Sequence, residues 1–252
     1  MQKSNDGFSR AVTTIRSPLH EVGCVLAWAL DYARQGSPHV EILASPAIAH
    51  MPNEDEVMVW FGVVDSDIGT VRAATIALLD PEEEYAAMRL QHSADRCASL
   101  AAHAAVRLML SAATELAPSR IRIYRGRYGK PLLAGGGLHF SLAHVRGVVA
   151  AVLARQPVGI DIERLTAVPD ISAVAATIFA PESCKALDAV EGEARLAMFY
   201  RFWTLGEAFT KATGMGVFQG LDSFAFTGEG EAHLTRVTAG WGRAERWRFG
   251  LC

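Results

Sequence analysis

The sequence predicts a mixed α+β fold in which strands and helices alternate along the chain. Short apolar runs between turn residues indicate strands, and the clearest of these are 57–64 and 158–163. Two longer segments, 94–116 and 193–213, have the length and the composition of helices, and Pro118 and Gly214 follow them as stop signals. These signals together favour a protein with several sheets and two long helices.

The first 52 residues predict a helix followed by a loop. Apolar residues recur at helical spacing between Pro18 and Arg34, namely Leu19, Val22, Leu26, Leu30 and Ala33. Residues 35–53 contain three prolines, which favours a loop or linker. The apolar run 22–30 is too short to span a bilayer, and Glu21 before it disfavours a signal peptide. We therefore expect no membrane segment here.

Local signals predict the remaining elements in chain order. Asp80-Pro81-Glu82-Glu83 combines a capping residue, a proline in the first turn and a glutamate three residues on, which is a helix start. Further strands are predicted at 121–124, 140–142, 148–153, 224–226, 234–237 and 247–250, and short helices at 170–179 and 181–190.

Composition places the chain among ordinary globular proteins of one or two domains. Of its 252 residues, half are hydrophobic and a fifth are charged, and the net charge is −3. This charge gives no electrostatic case for binding nucleic acid or an anionic membrane. The four cysteines are scattered without a C-x-x-C pair, which predicts reduced thiols and a cytoplasmic protein.

The predicted strand 158–163 carries two acids. Asp161 and Glu163 are two residues apart, so both carboxylates lie on one face of the strand. Crowded carboxylates repel each other unless a cation lies between them, and Mg²⁺ prefers such oxygen ligands. For this triplet alone, the more common explanation is a polar outer face with two solvated acids.

The predicted helix 193–213 adds a third acid. Trp203, Glu207 and Lys211 are four residues apart and share one helix face, which offers an aromatic wall, a carboxylate and a cation. Taken alone, this face is more often an amphipathic surface with one Glu–Lys pair.

Together the two stretches, G-x-D-x-E and then W-x-x-x-E-x-x-x-K, resemble the Sfp-type 4′-phosphopantetheinyl transferases. Those enzymes move phosphopantetheine from coenzyme A to a serine of a carrier protein. The resemblance extends to 128–131 (YGKP), 139–144 (HFSLAH), 156–158 (QPV) and 220–224 (GLDSF). It runs from about residue 57 to the end, most clearly over 120–227.

The resemblance implies a pseudo-twofold pair of α/β lobes with the active site in the cleft between them. A weak internal repeat agrees, because long helix, glycine turn and strand occur at 94–124 and again at 193–226. We expect an N-terminal extension at 1–52, a first lobe at 53–157 and a second lobe at 158–252.

The resemblance also implies roles for individual residues. The metal ligands would be Asp161, Glu163 and Glu207, holding Mg²⁺; Glu207 would also be the general base on the carrier serine; Lys211 would contact the pyrophosphate; and Lys130, His144 and Ser99 would contact phosphates of coenzyme A. Trp203 is expected to be either core packing or a wall for the cofactor.

Three departures from the family pattern reduce the number of expected phosphate contacts. The family usually has lysine where Gly206 stands and serine where Ala143 stands. Basic residues of an earlier helix are replaced by Glu83 and Ala86.

The function expected from this resemblance is Mg²⁺-dependent transfer of 4′-phosphopantetheine from coenzyme A to an acyl or peptidyl carrier protein, with release of 3′,5′-ADP, by a monomeric enzyme. Two alternatives are another Mg²⁺-dependent enzyme that cleaves a pyrophosphate with the same acids, and a weakly active relative that binds carrier proteins.

Overall fold

The chain forms two compact units, each of which combines sheet and helix. The computed structural model describes residues 8–9, 11–14, 24–32, 36–238 and 242–251. Unit 1 contains the described residues of Met1–Ser17, His39–Arg125 and Pro131–Arg155, and unit 2 contains those of Pro18–Pro38, Gly126–Lys130 and Gln156–Cys252. The predicted α+β class is confirmed, whereas the pseudo-twofold relation and the cleft stay predictions.

The described strands are β1 (Val12–Thr14), β2 (Cys24–Asp31), β3 (His39–Ile42), β4 (Glu56–Val64), β5 (Ile123–Arg125), β6 (Pro131–Leu133), β7 (His139–Val145), β8 (Val148–Ala154), β9 (Val158–Arg164), β10 (Phe224–Phe226), β11 (Leu234–Val237) and β12 (Trp247–Leu251). The described α-helices are α1 (Ile68–Thr75), α2 (Pro81–Met88), α3 (Ser93–Thr114), α4 (Ile171–Ile178), α5 (Pro181–Asp188) and α6 (Gly192–Thr213).

Unit 1 is built on a five-stranded sheet. Strand β4 pairs antiparallel with β8, which pairs antiparallel with β7. The other edge of β4 pairs with β1 near its end and, in parallel, with β3 near its start. Helix α3 packs against β7 and β8, and small alanines along its length allow this close contact. Apolar side chains such as Trp60 and Leu100 fill the core between them.

Unit 2 is built on a three-stranded antiparallel sheet in the order β12, β2, β9. Helix α6 packs on β9 and β2. Aromatic rings fill the contact: Phe209 lies edge-on to Phe224 at 5.0 Å and to Trp247 at 4.7 Å between ring centroids. Such edge-to-face pairs stabilise a core beyond the area that they bury.

The helix predicted over 18–34 is wrong in its described part, because residues 24–31 form β2, the central strand of unit 2. Six of its eight residues are buried, so the run is apolar throughout and carries no alternation to distinguish strand from helix. Positions 18–23 and 33–34 of that prediction lie outside the described residues.

The segment predicted as an N-terminal extension, 1–52, contributes β1 and β3 to the sheet of unit 1 and β2 to the sheet of unit 2. The predicted loop 35–53 likewise contains β3. Strands β1 and β3 are held by pairing with β4, and β2 is held by pairing with β9 and β12. These pairings are not local in the sequence, so no local signal reveals them.

Several local predictions are confirmed. Asp80 caps α2 in a reciprocal capping box with Glu83, and Gly214 ends α6 in the left-handed conformation with φ of 78°. Among the described helices, α3 has the length and hydropathy of a membrane span, but most of it is buried in the core of unit 1. This burial is typical of the central helix of a globular core.

Candidate functional site

Strand β9 turns its odd-numbered residues toward helix α6. A Cβ atom built on Gly159 would lie 2.0 Å from the carbonyl oxygen of Ala208 and 2.4 Å from the amide nitrogen of Ala212. Only glycine therefore allows the helix backbone to approach the strand this closely. Asp161 and Glu163 follow on the same face, so the glycine of G-x-D-x-E brings both acids against the helix.

Asp161 is buried, and only one of its two carboxylate oxygens has a hydrogen-bond partner among the described residues. Its side chain is 7% exposed, and Lys211 Nζ donates to its Oδ1 at 2.6 Å. The other oxygen, Oδ2, is buried with no hydrogen-bond partner in the described part of the chain. Because buried polar atoms are nearly always paired, this oxygen marks a position suited to a cation or a donor from outside the chain.

Glu163 is oriented by the tryptophan of the helix motif. Trp203 Nε1 donates to Glu163 Oε1 at 3.1 Å, and the ring of Phe199 stacks on that of Trp203 at 6.1 Å between centroids. Trp203 was expected to be core packing or a cofactor wall. Its indole has a further role, which is to position a carboxylate.

The acids lie close enough to perturb one another. Burial raises the pKa of Glu163, and the charges of Asp161 and Glu207 raise it further. Burial also raises the pKa of Glu207, and the charge of Asp161 raises it further. The charge of Lys211 lowers the pKa of both glutamates. Three carboxylates and one ammonium leave two excess negative charges, which a divalent cation would neutralise.

Asp161, Glu163 and Glu207 together are called the acid face. They fit Mg²⁺ by chemistry, because all their ligand atoms are oxygens and one is a buried oxygen without a hydrogen-bond partner in the described part of the chain. They do not form a closed three-ligand cluster in this structure; among the described residues that description applies to Glu41, His50 and Glu56. At the acid face, the ammonium of Lys211 lies directly against Asp161.

The ammonium of Lys130 is hydrogen-bonded to backbone of unit 2. Its ammonium donates to the carbonyl oxygens of Val158 at 3.1 Å and of Ala212 at 2.9 Å, and burial lowers its pKa to about 8. It therefore joins the start of β9 to the last turn of α6, where a cation also favours the helix dipole. The predicted contact with a phosphate of coenzyme A stays a prediction.

The remaining two predicted residues lie in unit 1. Ser99 is buried on α3, and its carbonyl oxygen lies 2.8 Å from Nδ1 of His103. His144 is half-buried on β7, opposite Val149 of β8. Because α3 packs against β7, these two residues come from neighbouring elements. The five others, Lys130, Asp161, Glu163, Glu207 and Lys211, belong to unit 2.

The departures from the family pattern have structural explanations at two positions. Glu83 accepts from the amide of Asp80 at 2.9 Å and from Arg107 Nε at 2.6 Å, so it caps a helix and pairs with a buried cation. A Cβ on Gly206 would lie 2.9 Å from Leu221 Cδ2 and 3.3 Å from Phe224 Cε2, so glycine there allows close packing.

Sequence reasoning missed the roles of Gly159, Arg107 and the indole of Trp203. A glycine inside a strand is itself a signal of close backbone approach, so Gly159 could have been found. The partners of Arg107 and Trp203 lie 24 and 40 residues away in the sequence, which no local pattern reveals.

Comparisons with known proteins agree with the resemblance. The family model of the 4′-phosphopantetheinyl transferase superfamily matches residues 157–251. A putative 4′-phosphopantetheinyl transferase of Synechocystis is 32% identical over 150 residues, covering 58% of this chain and 61% of the relative. The 4′-phosphopantetheinyl transferase HetI of Nostoc is 29% identical, covering 65% and 70%. The transferase Sfp of Bacillus subtilis is 30% identical, covering 60% and 66%.

The chain thus spans less than two thirds of the Synechocystis relative and slightly more than two thirds of the Nostoc relative. The family model covers β9, α6 and β12, so it includes the whole acid face.

Proposed function

This chain belongs to the Sfp-type 4′-phosphopantetheinyl transferase family, and we propose that it transfers the 4′-phosphopantetheine group of coenzyme A to a serine of an acyl or peptidyl carrier protein, releasing 3′,5′-ADP. The observation that carries the proposal is the acid face of unit 2, where buried Asp161 keeps one oxygen without a partner beside Glu163 and Glu207. A buried carboxylate oxygen without a partner is costly in a purely structural cluster.

Asp161, Glu163 and Glu207 would hold Mg²⁺. When bound, the ion would supply positive charge that offsets the negative charge developing on the departing phosphate. The excess negative charge of the three acids and the oxygen-only ligand set support this assignment. Trp203 keeps Glu163 in place through its indole N–H.

The chain's own residues would position the substrate and move one proton. The serine oxygen of the carrier attacks the phosphorus that bears the pantetheine, the bond from that phosphorus to 3′,5′-ADP breaks, and Glu207 takes the serine proton as general base. The ammonium of Lys211 would contact the pyrophosphate, and its side chain, at 32% exposure, is open to such a contact.

The other contacts to coenzyme A are proposals of the same kind. Ser99 and His144 lie on packed neighbouring elements of unit 1 and would bind the 3′-phosphate. Lys130 would contribute its third N–H, since two are used by backbone carbonyls. We further propose that the protein acts as a cytoplasmic monomer, in agreement with the free cysteines Cys97 and Cys184.

Intact-mass measurement of apo-carrier proteins tests the proposal directly. The carrier should gain the mass of one phosphopantetheine group when incubated with this protein, coenzyme A and Mg²⁺. A carrier whose acceptor serine is replaced by alanine should gain nothing. Chelation of Mg²⁺ should stop the reaction, and added Mg²⁺ should restore it.

The same assay separates the alternatives. Cleavage of coenzyme A at its pyrophosphate without any acceptor would indicate a different Mg²⁺-dependent enzyme. Binding of the carrier without a mass change, over a panel of acyl and peptidyl carriers, would indicate a binding protein. Either result would overturn the proposed transfer.

A further inference from the structure

A second cluster of charged and metal-ligating side chains lies in unit 1, far along the chain from the acid face. Strand β3 presents His39 and Glu41 two residues apart, so they share a face. The parallel pairing of β3 with β4 puts His39 in register with Glu56. His50, which follows a short 3₁₀ turn, reaches the same place.

Single ligand atoms of Glu41, His50 and Glu56 all lie within 4.8 Å of one another. His50 Nε2 lies 3.1 Å from both oxygens of Glu56, and His39 Nδ1 lies 3.8 Å from Glu56 Oε1. In a tetrahedral zinc site with bonds of about 2.0–2.1 Å, neighbouring ligand atoms are roughly 3.3 Å apart. The spacing between His50 and Glu56 is close to that value.

Neighbouring groups contact these ligands and fix their positions. The amide N–H of Asn53 donates to Glu56 Oε2 at 2.9 Å and fixes the carboxylate, which is 7% exposed. The other ring nitrogen of His50, Nδ1, lies 3.9 Å from Glu41 Oε2. Glu41 thus brings a second carboxylate to the same imidazole, as the third member of the ligand group.

We propose that Glu41, His50 and Glu56 bind a divalent transition-metal ion, Zn²⁺, with His39 beside Glu56. Mixed imidazole and carboxylate donors suit Zn²⁺, whereas Mg²⁺ takes oxygen ligands only. Three protein ligands leave a fourth position for water. The ion neutralises the charges of Glu41 and Glu56 and joins β3 and the 43–55 segment to β4. This site is independent of the proposed transfer reaction.

Zinc binding to the untagged, metal-free protein tests this proposal. Isothermal titration with Zn²⁺, after alkylation of accessible thiols, should show one site per chain. The melting temperature should rise with Zn²⁺ concentration, since an ion that binds only the folded state stabilises it by mass action. Mg²⁺ at the same concentration should not reproduce the shift.

Three variants and one control locate the site. His50→Ala, at an exposed position, should abolish both the binding and the melting shift, and Glu56→Gln should do the same. Glu41→Gln should weaken binding by at least about 10–100-fold, the cost of losing a residue that only orients a ligand. His233→Ala, which removes an exposed histidine next to the Glu231 carbonyl, should leave binding unchanged.

Circular dichroism of each metal-free variant checks that it remains folded. Unchanged zinc affinity in folded His50→Ala, or an equal loss in His233→Ala, would overturn the proposal. So would the absence of one saturable site in the wild-type protein, because the four side chains would then be only a hydrogen-bonded group.

Discussion

The two long helices, α3 and α6, differ in how the buried charged groups at each helix are hydrogen-bonded. Both contain 22 residues and both pack on the sheet of their own unit. On α3, Arg107 is 2% exposed, and its guanidinium donates to Glu83 and to the carbonyl oxygens of Pro118 and Ile121. On α6, Lys211 contacts one oxygen of Asp161 and leaves the other without a partner.

The difference shows how a structural charge is told from a functional one. A buried charge that serves only the fold usually has its donors or acceptors paired, since an unpaired buried group is costly. The acid face beside α6 differs at Asp161 Oδ2, which is the only buried carboxylate oxygen without a hydrogen-bond partner among the described residues. The acid face also gathers like charges, which a cation from outside the chain could neutralise. Changes at each helix should therefore separate stability from activity.

The largest effect is expected at Arg107. Arg107→Met removes the cation that pairs with Glu83 and the donors to the carbonyl oxygens of Pro118 and Ile121, of which the Pro118 oxygen keeps the Ile121 amide. The free energy of unfolding should therefore fall by about 3–5 kcal/mol. Urea unfolding followed by circular dichroism measures this change. If the protein does not fold well enough for measurement, the loss of a cooperative transition gives the same answer.

The matched control is Arg72→Met, which breaks the exposed pair of Arg72 with Glu84 at 2.6 Å. Its cost should stay within about 1 kcal/mol, as for other surface ion pairs. Equal costs for the two variants would contradict the structural role of Arg107.

The second largest effect is expected on the rate of phosphopantetheine transfer. Asp161→Asn removes a charge from the acid face and should lower the transfer rate by roughly 10²–10³, the usual cost of losing one electrostatic stabiliser. Glu207→Gln should act similarly. The unfolding free energy should change little, because Asn retains the shape of the side chain. Initial rates by intact mass and urea unfolding on one preparation measure both quantities.

Asp188→Asn is the control for this pair, since Asp188 is an exposed acid of the same unit that pairs with Arg195. Its rate should match the wild type. Activity of Asp161→Asn within a few-fold of wild type would contradict the assignment of the acid face.

The same contrast explains what the sequence could predict. Alternation, caps and turn residues are local, so β4, β9, α2, α3 and α6 were predicted within a few residues, and the motif spacings placed Asp161, Glu163, Glu207 and Lys211 together in unit 2. The strand β2 was mistaken for a helix because a central strand buried on both faces lacks alternation.

The sequence could not predict which charged side chains already have hydrogen-bond partners in the fold, because those partners are distant in sequence. Arg107 and Glu83 are 24 residues apart, and Lys130 and Ala212 are 82 apart. A pattern of residue types indicates which side chains can bind a ligand. Only the folded contacts reveal which of them are already occupied.

The third effect concerns pH at the end of α6. Burial lowers the pKa of Lys130 from 10.5 to about 8 in the folded protein. Between those two pH values the unfolded chain binds more protons, so stability should rise with pH there, and the penalty for the buried charge is complete below pH 8. The total rise should approach about 3 kcal/mol at 1.36 kcal/mol per pKa unit.

Lys130→Met isolates this contribution, because all other titrating groups are shared with the wild type. The difference in unfolding free energy between the two proteins, measured by urea unfolding from pH 7 to 10.5, should shift in favour of the wild type as pH rises. A constant difference would mean that the two carbonyl acceptors keep the ammonium charged despite its burial.

The smallest effect is expected at Gly206, on the face of α6 that carries no charged partner. Alanine in a helix interior is favoured over glycine by about 1 kcal/mol. At this position, however, the new Cβ would meet Leu221 Cδ2 at 2.9 Å and Phe224 at 3.3 Å. Leu221 lies in a short 3₁₀ turn and Phe224 is buried, so the contact strains a packed core.

Gly206→Ala should therefore fail to gain the stability that helix propensity predicts and should lower the unfolding free energy by about 1 kcal/mol, a typical cost for overpacking. A double-mutant cycle with Leu221→Ala tests the cause. The added methyl group should cost less, or even stabilise, once the leucine is shortened, because contacting residues are not additive. Additive effects would show that the glycine is not retained for packing, and that a lysine at 206 could restore a phosphate contact without cost to the fold.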